Sequence, residues 1–401
     1  MKNIVKPADR TRALVAERNR KMAQSAHAYV RGSTKRFYAW LQGSDHVELP
    51  SGPAVWICGD CHTGNLGPVA NSDGMLAVQM RDLDQTVIGN PAHDIIRLAL
   101  SLAMAARSAD LPGVATALML ERIMEGYALA FSGPAVVDNE ADIVTVPKTI
   151  RLLMRRAAGR SWKNLSDQGL STSHRILPIG KRFWPLTTDE RIAVEDMFET
   201  QEMRAFIGSL GSSTESARIR LIDTAYWKKG CSSLGRVRIA ALLQCGKPSS
   251  ERYCLIDVKE AVKATAPSHP AAIMPDDDAQ RVVEGAKHLA PYLGERMYAT
   301  KLMTKSVVIR ELTPQDLKIE IGTLSRSEAE DVARYLAYTV GLGHARQLDA
   351  RQRLHWLGEL KRNRTSSLDA PSWLWTAVVE LIATHEAAYL EHCRRYAVEA
   401  A

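Results

Sequence analysis

Two short apolar runs, each closing in an acidic loop between residues 59 and 84, constrain this chain more than any other feature. The first, Pro53 to Cys58 (PAVWIC), reads as a strand and runs into Gly59-Asp60-Cys61-His62-Thr63-Gly64-Asn65. The second alternates Leu76, Val78 and Met80, again a strand pattern, and runs into Arg81-Asp82-Leu83-Asp84. A hairpin of strands is expected to set the two loops side by side. Gly89-Asn90-Pro91 then breaks the chain, and Ile95, Leu98, Ala99 and Leu102 mark a long buried helix.

At 401 residues the chain has room for two or three lobes and a sizeable core. Hydrophobic residues at 46% and charged residues at 24% exclude a disordered or fibrous chain. The formal net charge of +7, from 52 Lys and Arg against 45 Asp and Glu, permits an anionic ligand without requiring nucleic acid. Met1 to Arg20 is charged and holds no apolar run. The longest apolar stretch, Leu98 to Ala106, is interrupted by Ser101 and closed by Arg107, short of the about 18 residues a membrane span needs. A soluble, cytoplasmic protein is expected, with neither a membrane nor a nucleic-acid partner. Six cysteines (Cys58, Cys61, Cys231, Cys245, Cys254, Cys393) are too sparse for a disulfide framework, so reduced thiols are expected.

Met22, Ala26, Tyr29 and Val30 fall on one helical face and predict a first helix. Residues 134 to 215 read as helical, polar and mostly surface, with a basic run holding Lys148, Arg151, Arg155, Arg156, Arg160 and Lys163. Near 217 the period shifts to strand: Val237, Ile239, Ala241 and Leu243 alternate, as do Cys254, Ile256 and Val258. A helix containing Glu284, a strand from Ser306 to Leu312 and a helical remainder from Ser325 follow. The expected architecture is α+β: a helical lobe over 1–215 bearing both acidic loops, a small sheet lobe over 216–324, and helices over 325–401 that complete the first lobe.

Phosphoryl transfer needs a carboxylate to orient or deprotonate the attacking hydroxyl, and an Asn and an Asp to hold magnesium on the phosphates. Asp60, Asn65 and Asp82, with Asp84 beside it, supply that set; as turn and capping residues they would carry no chemistry. Gly230-Cys231-Ser232-Ser233-Leu234-Gly235 joins two strands, and its backbone N–H groups could lie over phosphates. Lys259 stands on the face of its strand opposite Cys254, Ile256 and Val258, and Glu284 one helix later is its natural ion-pair partner. Cys58-Gly59-Asp60-Cys61-His62 also matches C-x-x-C-H, the haem attachment pattern, but that attachment follows export, and no export signal precedes it. A zinc site there lacks a fourth ligand at finger-like spacing, so His62 is read as shaping the loop.

CGDCHTGN followed by MRDLDQTVIGNPAHDIIRLALSL resembles the loop-and-helix segment of the aminoglycoside phosphotransferase and choline kinase group, within the protein kinase-like superfamily. Arg31-Gly32, CGDCHTGNLG, DLD, HDIIRLALS, SSLGR, VKEA, VIRELTPQDLK and GHAR, in that order, more closely resemble the bacterial family called domain of unknown function 2252. The resemblance implies a two-lobed kinase-like fold, circularly permuted, since Asp60 and Asp82 here precede Gly235 and Lys259. It implies Asp60 as the catalytic aspartate, Asn65 and Asp82 as metal ligands with Asp84 adjacent, and Lys259 on the phosphates with Glu284 as its partner. Asp94, His62 and Arg31 would support the loop, and Gly230, Ser232, Ser233, Gly235, Glu311 and Leu312 would line the nucleotide. Ser232 stands where the family's loop often has Gly, and Gln79 and Gln85 where it often has acids. The implied cofactors are ATP and Mg2+. The implied activity is phosphoryl transfer to a hydroxyl of a small molecule, with protein as a less favoured acceptor. A non-catalytic, pseudokinase-like nucleotide-binding module and nucleotidyl transfer (AMPylation) are the alternatives.

Overall fold

The computed structural model describes residues 5–43, 47–132, 144–160, 176–210, 219–230, 234–246, 252–313, 315, 317, 319, 324–362 and 370–396. In chain order the helices are α1 (Arg10–Met22), α2 (Ala26–Gly32), α3 (Thr34–Gly43), α4 (Ala92–Ser108), α5 (Gly113–Ser132), α6 (Lys148–Ala158), α7 (Thr188–Glu199), α8 (Gln201–Ser209), α9 (Asp278–Leu289), α10 (Pro291–Gly294), α11 (Arg326–Ala345), α12 (Ala350–Lys361) and α13 (Ser372–Tyr396). The strands are β1 (Val55–Ile57), β2 (Leu66–Ala70), β3 (Leu76–Met80), β4 (Val87–Gly89), β5 (Phe183–Trp184), β6 (Ile219–Trp227), β7 (Arg238–Cys245), β8 (Arg252–Glu260), β9 (Met297–Leu302) and β10 (Lys305–Leu312).

Helices and antiparallel sheets make an α+β protein. α4 lies at the centre of the larger core: every residue from Asp94 to Ala106 is buried. α5 crosses α11 so closely that a Cβ on Gly126 would lie 2.0 Å from the Arg334 carbonyl oxygen. α11 starts at a capping box in which Ser325 and Glu328 satisfy each other's backbone N–H groups, and the second helical segment begins there. The two short strands flanking the acidic loops do not pair with each other. β1 pairs with β4 and β2 with β3, giving two antiparallel ribbons whose shared connections are the loops themselves.

The smaller lobe is one antiparallel sheet in the order β5-β6-β7-β8-β10-β9. Alternation sorts its faces. Ile239, Ala241, Leu243, Cys254, Ile256 and Val258 join a core with Met197, Phe198, Met203 and Ile207 of α7 and α8 and Leu14 of α1. On the other face, cross-strand registers align Arg238 with Lys259 with Val308, and Ala240 with Asp257 with Arg310.

Two expectations change. The first helix is two: Ser25 caps α2 by accepting from the Ala28 N–H, so the apolar face continues across a break. The stretch taken as polar surface up to 215 supplies β5, whose Phe183 and Trp184 pair with Trp227 and Tyr226, and the two helices that cover the sheet. The sheet lobe therefore draws on residues well before 216. The apolar residues that do this are spaced among charges, so the average polarity of the stretch hides them.

Candidate functional site

The loop after β1 is held from below by one buried carboxylate. Asp94 accepts from the backbone N–H groups of Cys58 at 2.6 Å and Gly59 at 2.9 Å, and its Oδ2 lies 3.2 Å from His344 Nε2. Trp356 Nε1 donates to the Tyr127 hydroxyl, which lies 2.9 Å from His344 Nδ1. With its single proton the hydroxyl donates to Nδ1, which puts the His344 proton on Nε2, facing Asp94. Gly59 has φ +73°, and a Cβ there would lie 2.1 Å from the Gln85 carbonyl oxygen, so the turn admits only glycine. Tyr38 donates to the Gly59 carbonyl at 2.6 Å.

Asp60 is buried, 6% exposed, and both carboxylate oxygens have partners. Arg97 Nε donates to Oδ1 and Thr34 Oγ1 to Oδ2, each at 2.8 Å. Burial raises its pKa, and the Arg97 charge offsets only part of that. Asn65 spends its amide N–H groups on the backbone carbonyls of Asp60 at 2.9 Å and Asp82 at 3.4 Å. Its Oδ1 is left for a ligand.

The second loop is held from the other lobe. Lys259 Nζ lies 3.0 Å from Asp82 Oδ1 and 2.6 Å from Asp84 Oδ1. Burial alone would raise Asp82, but the lysine overrides it and holds that carboxyl well below its usual range. Burial and the Asp82 charge raise Asp84. Arg281 of α9 donates to three backbone carbonyls: Thr86 at 2.6 Å, Asp84 at 3.1 Å and Val262 at 2.9 Å. Gln85 Oε1 accepts from the Thr265 N–H at 2.6 Å.

Glu284 does not pair with Lys259. It lies on the outer face of α9, bonded to Lys287 at 2.7 Å, because Val282, Ala286 and Leu289 turn the opposite face inward. Asp82 and Asp84 take its place beside the lysine. Glu311 forms a buried pair with Arg296, and Leu312 packs in the sheet core. Gly230 and Gly235, with φ +90° and +100°, flank the β6–β7 turn. Ser232 and Ser233 lie outside the described residues. The Arg31 guanidinium covers Gly64, where a Cβ would come within 2.5 Å of it, and His62 Nε2 stands 4.0 Å from Asp60 Oδ2.

One cleft between the lobes is lined by Asn65, Asp82, Asp84, Lys259, Arg31 and His62, with Val282, Leu293, Met297 and Val308 as its apolar wall. Arg238, bonded to Asp257 at 2.9 Å through Nε, and Arg310 add charge to it. A second, smaller opening reaches Asp60, Thr34, Gln85 and Arg236 and shares Asn65, Asp82 and Asp84 with the first. Among the described residues no three His, Cys, Asp or Glu side chains converge on a metal position. The donors that suit a hard cation are the Asn65 amide oxygen and the ionised Asp82, a pair whose oxygens fit magnesium completed by ligand phosphates. The Cys61 thiol, bonded to Cys58 and buried, is pushed well up, which suits a packed thiol and not a metal ligand.

Sequence reasoning missed Arg97, Thr34, Arg238, Arg281 and Arg310. Arg97 had a signal: a lone cation inside an apolar helix must have a buried anion to meet. No helix among the described residues is long and apolar enough to cross a membrane. A search of curated proteins finds no match, and a search of solved structures finds none either. The family model described as an uncharacterized protein conserved in bacteria (DUF2252) matches residues 10–395, and the chain belongs to that family.

Proposed function

We propose that this protein is an ATP- and magnesium-dependent phosphotransferase acting on a hydroxyl of a small molecule, on a circularly permuted, kinase-like two-lobed fold. The observation that carries the reading is Lys259, which reaches from the sheet across 177 residues of chain to lie 3.0 Å from Asp82. A cation that docks on two carboxylates in a cleft is placed to exchange them for phosphate oxygens. Asp82 and Asn65 Oδ1 would hold magnesium, which when bound neutralises charge on the phosphates. Val282, Leu293, Met297 and Val308 offer an apolar wall for a base. Asp60 keeps lone pairs beyond those used by Arg97 and Thr34, so it can accept from an acceptor hydroxyl. That oxygen bonds to the γ-phosphorus as the bond to ADP breaks, and the hydroxyl proton leaves toward Asp60. The reading puts the protein in the cytoplasm, where ATP and magnesium are abundant.

The engagement of both Asp60 oxygens favours a second reading, a nucleotide-binding module that works by conformation. Mg·ATP is expected to raise the melting temperature through binding to the folded state. Asp82→Asn should abolish that metal-dependent shift. Asp60→Asn should keep the shift while turnover, followed as slow ATP hydrolysis or transfer to a metabolite extract, falls about a hundredfold or more. No shift at millimolar nucleotide would count against both readings, and binding without turnover in the wild type selects the second. A structure with a non-hydrolysable analogue separates phosphoryl from nucleotidyl transfer by the phosphate that faces Asp60.

A further inference from the structure

The cleft carries more positive charge than its carboxylates answer. Six Arg and Lys side chains line it against three Asp, a surplus of three. The helical lobe's share of that wall is distinctive. Arg31 lies over Gly64, in the loop between Asp60 and Asn65, and Arg81 donates to the Gly64 carbonyl at 3.2 Å. Beside them His62 is 5% exposed, and its buried Nδ1 has no hydrogen-bond partner among the described residues. Burial and the charges of Arg31 and Arg97 hold the ring neutral. A buried polar atom without a partner is costly in a folded protein and marks the position of a missing partner atom. Lys259 and Gly230 belong to the sheet lobe's end of the cleft, so the triphosphate of the reading above does not account for this end.

We infer that the acceptor carries an oxyanion, phosphate or carboxylate, besides its reacting hydroxyl, and that Arg31 and His62 bind it. This rests on the phosphotransferase reading. The planar guanidinium meets two oxygens at once, and an oxyanion selects the His62 tautomer with its proton on Nδ1. Gly64 belongs to the same arrangement, since any side chain there would fill the place of the guanidinium.

The test uses the full chain saturated with magnesium and a non-hydrolysable ATP analogue, so that the donor's own phosphate positions are filled. Inorganic phosphate and acetate are then titrated separately by calorimetry, which distinguishes the two sources of the oxyanion. Binding of at least one is expected, weakened at least tenfold in Arg31→Gln and in His62→Asn, and less in Arg31→Lys. The analogue's own affinity should stay within about threefold in each variant, and a melting curve confirms that each is folded. If the analogue binds but neither anion does, or if the folded variants bind the anion as the wild type does, the inference is overturned and the phosphotransferase reading survives. If the analogue does not bind the wild type, the reading fails and takes the inference with it.

Discussion

The two acidic loops are built to similar shapes and anchored in opposite ways. The loop bearing Asp60 is tied wholly within the helical lobe: Asp94 and Arg97 come from α4, Tyr38 and Thr34 from α3, and His344 from α11. The loop bearing Asp82 and Asp84 is tied across the cleft by Lys259 of β8, Arg281 of α9 and the Thr265 backbone. The first is a fixed part of one body, and the second is the joint between two. A change in how the lobes sit is therefore felt at Asp82 and Asp84 and scarcely at Asp60.

The sharpest way to break this contrast is Arg97→Met. It leaves Asp60 buried beside Thr34 without a counter-charge, and should cost about 3–5 kcal/mol of unfolding free energy in a denaturant titration. Asp60→Asn in the same chain should return part of that loss; if the single variant loses under about 1 kcal/mol, the first loop is not anchored as described. Arg281→Met removes three bonds to carbonyls of the joint and should cost about 2–3 kcal/mol. Unlike Arg97→Met, it should also weaken Mg·ATP binding in calorimetry. Acid titration sharpens the contrast further. Lys259 lowers the Asp82 pKa, so the stability from that carboxylate is present above the unfolded value, about 3.9, and is lost as pH falls toward the folded value. Asp60 is raised, so its ionised form costs stability that appears as pH rises from about 3.9 through the folded value. Asp82→Asn should flatten the acid limb and Asp60→Asn should steepen it, each by no more than about 1.4 kcal/mol per pH unit. The same direction of change in both variants would erase the distinction. The smallest effect belongs to Glu284→Ala, which removes an exposed pair with Lys287 and should change stability by less than about 0.5 kcal/mol. A loss of nucleotide binding in that variant would mean that α9 turns to bring Glu284 onto Lys259 when ligand arrives.

Strand periodicity located β1, β3, β7, β8 and β10, and the acidic loops stood out because Gly, Asp and Asn cluster where apolar alternation stops. Lys259 was legible because the residues on either side fix which face it occupies. Glu284 was misassigned because sequence distance said nothing about helix phase, although Val282, Ala286 and Leu289 recorded it. The covering of the sheet by α7 and α8 was illegible for another reason. An element that buries one stripe and leaves the rest in water reads as polar when averaged, and nothing local names its partner. Arg281 and Thr34 act through backbone carbonyls and a distant carboxylate, contacts that leave no mark in spacing.

One helix belongs to neither lobe alone. At its start, Arg10 bonds to Glu190 at 2.7 Å, and further along Lys21 donates to the Gly230 carbonyl at 3.0 Å. At its far end Asn19 and Ala23 accept from His392 and Tyr389 of α13, at 2.8 and 3.2 Å. α1 has 13 residues, so it is a rod about 20 Å long. A rod pinned at both ends fixes the separation of its pins and leaves rotation around its own length free. The lobes can therefore twist about α1 far more readily than they can part as a clamshell, and opening of the cleft is geared to the turn of a single axle.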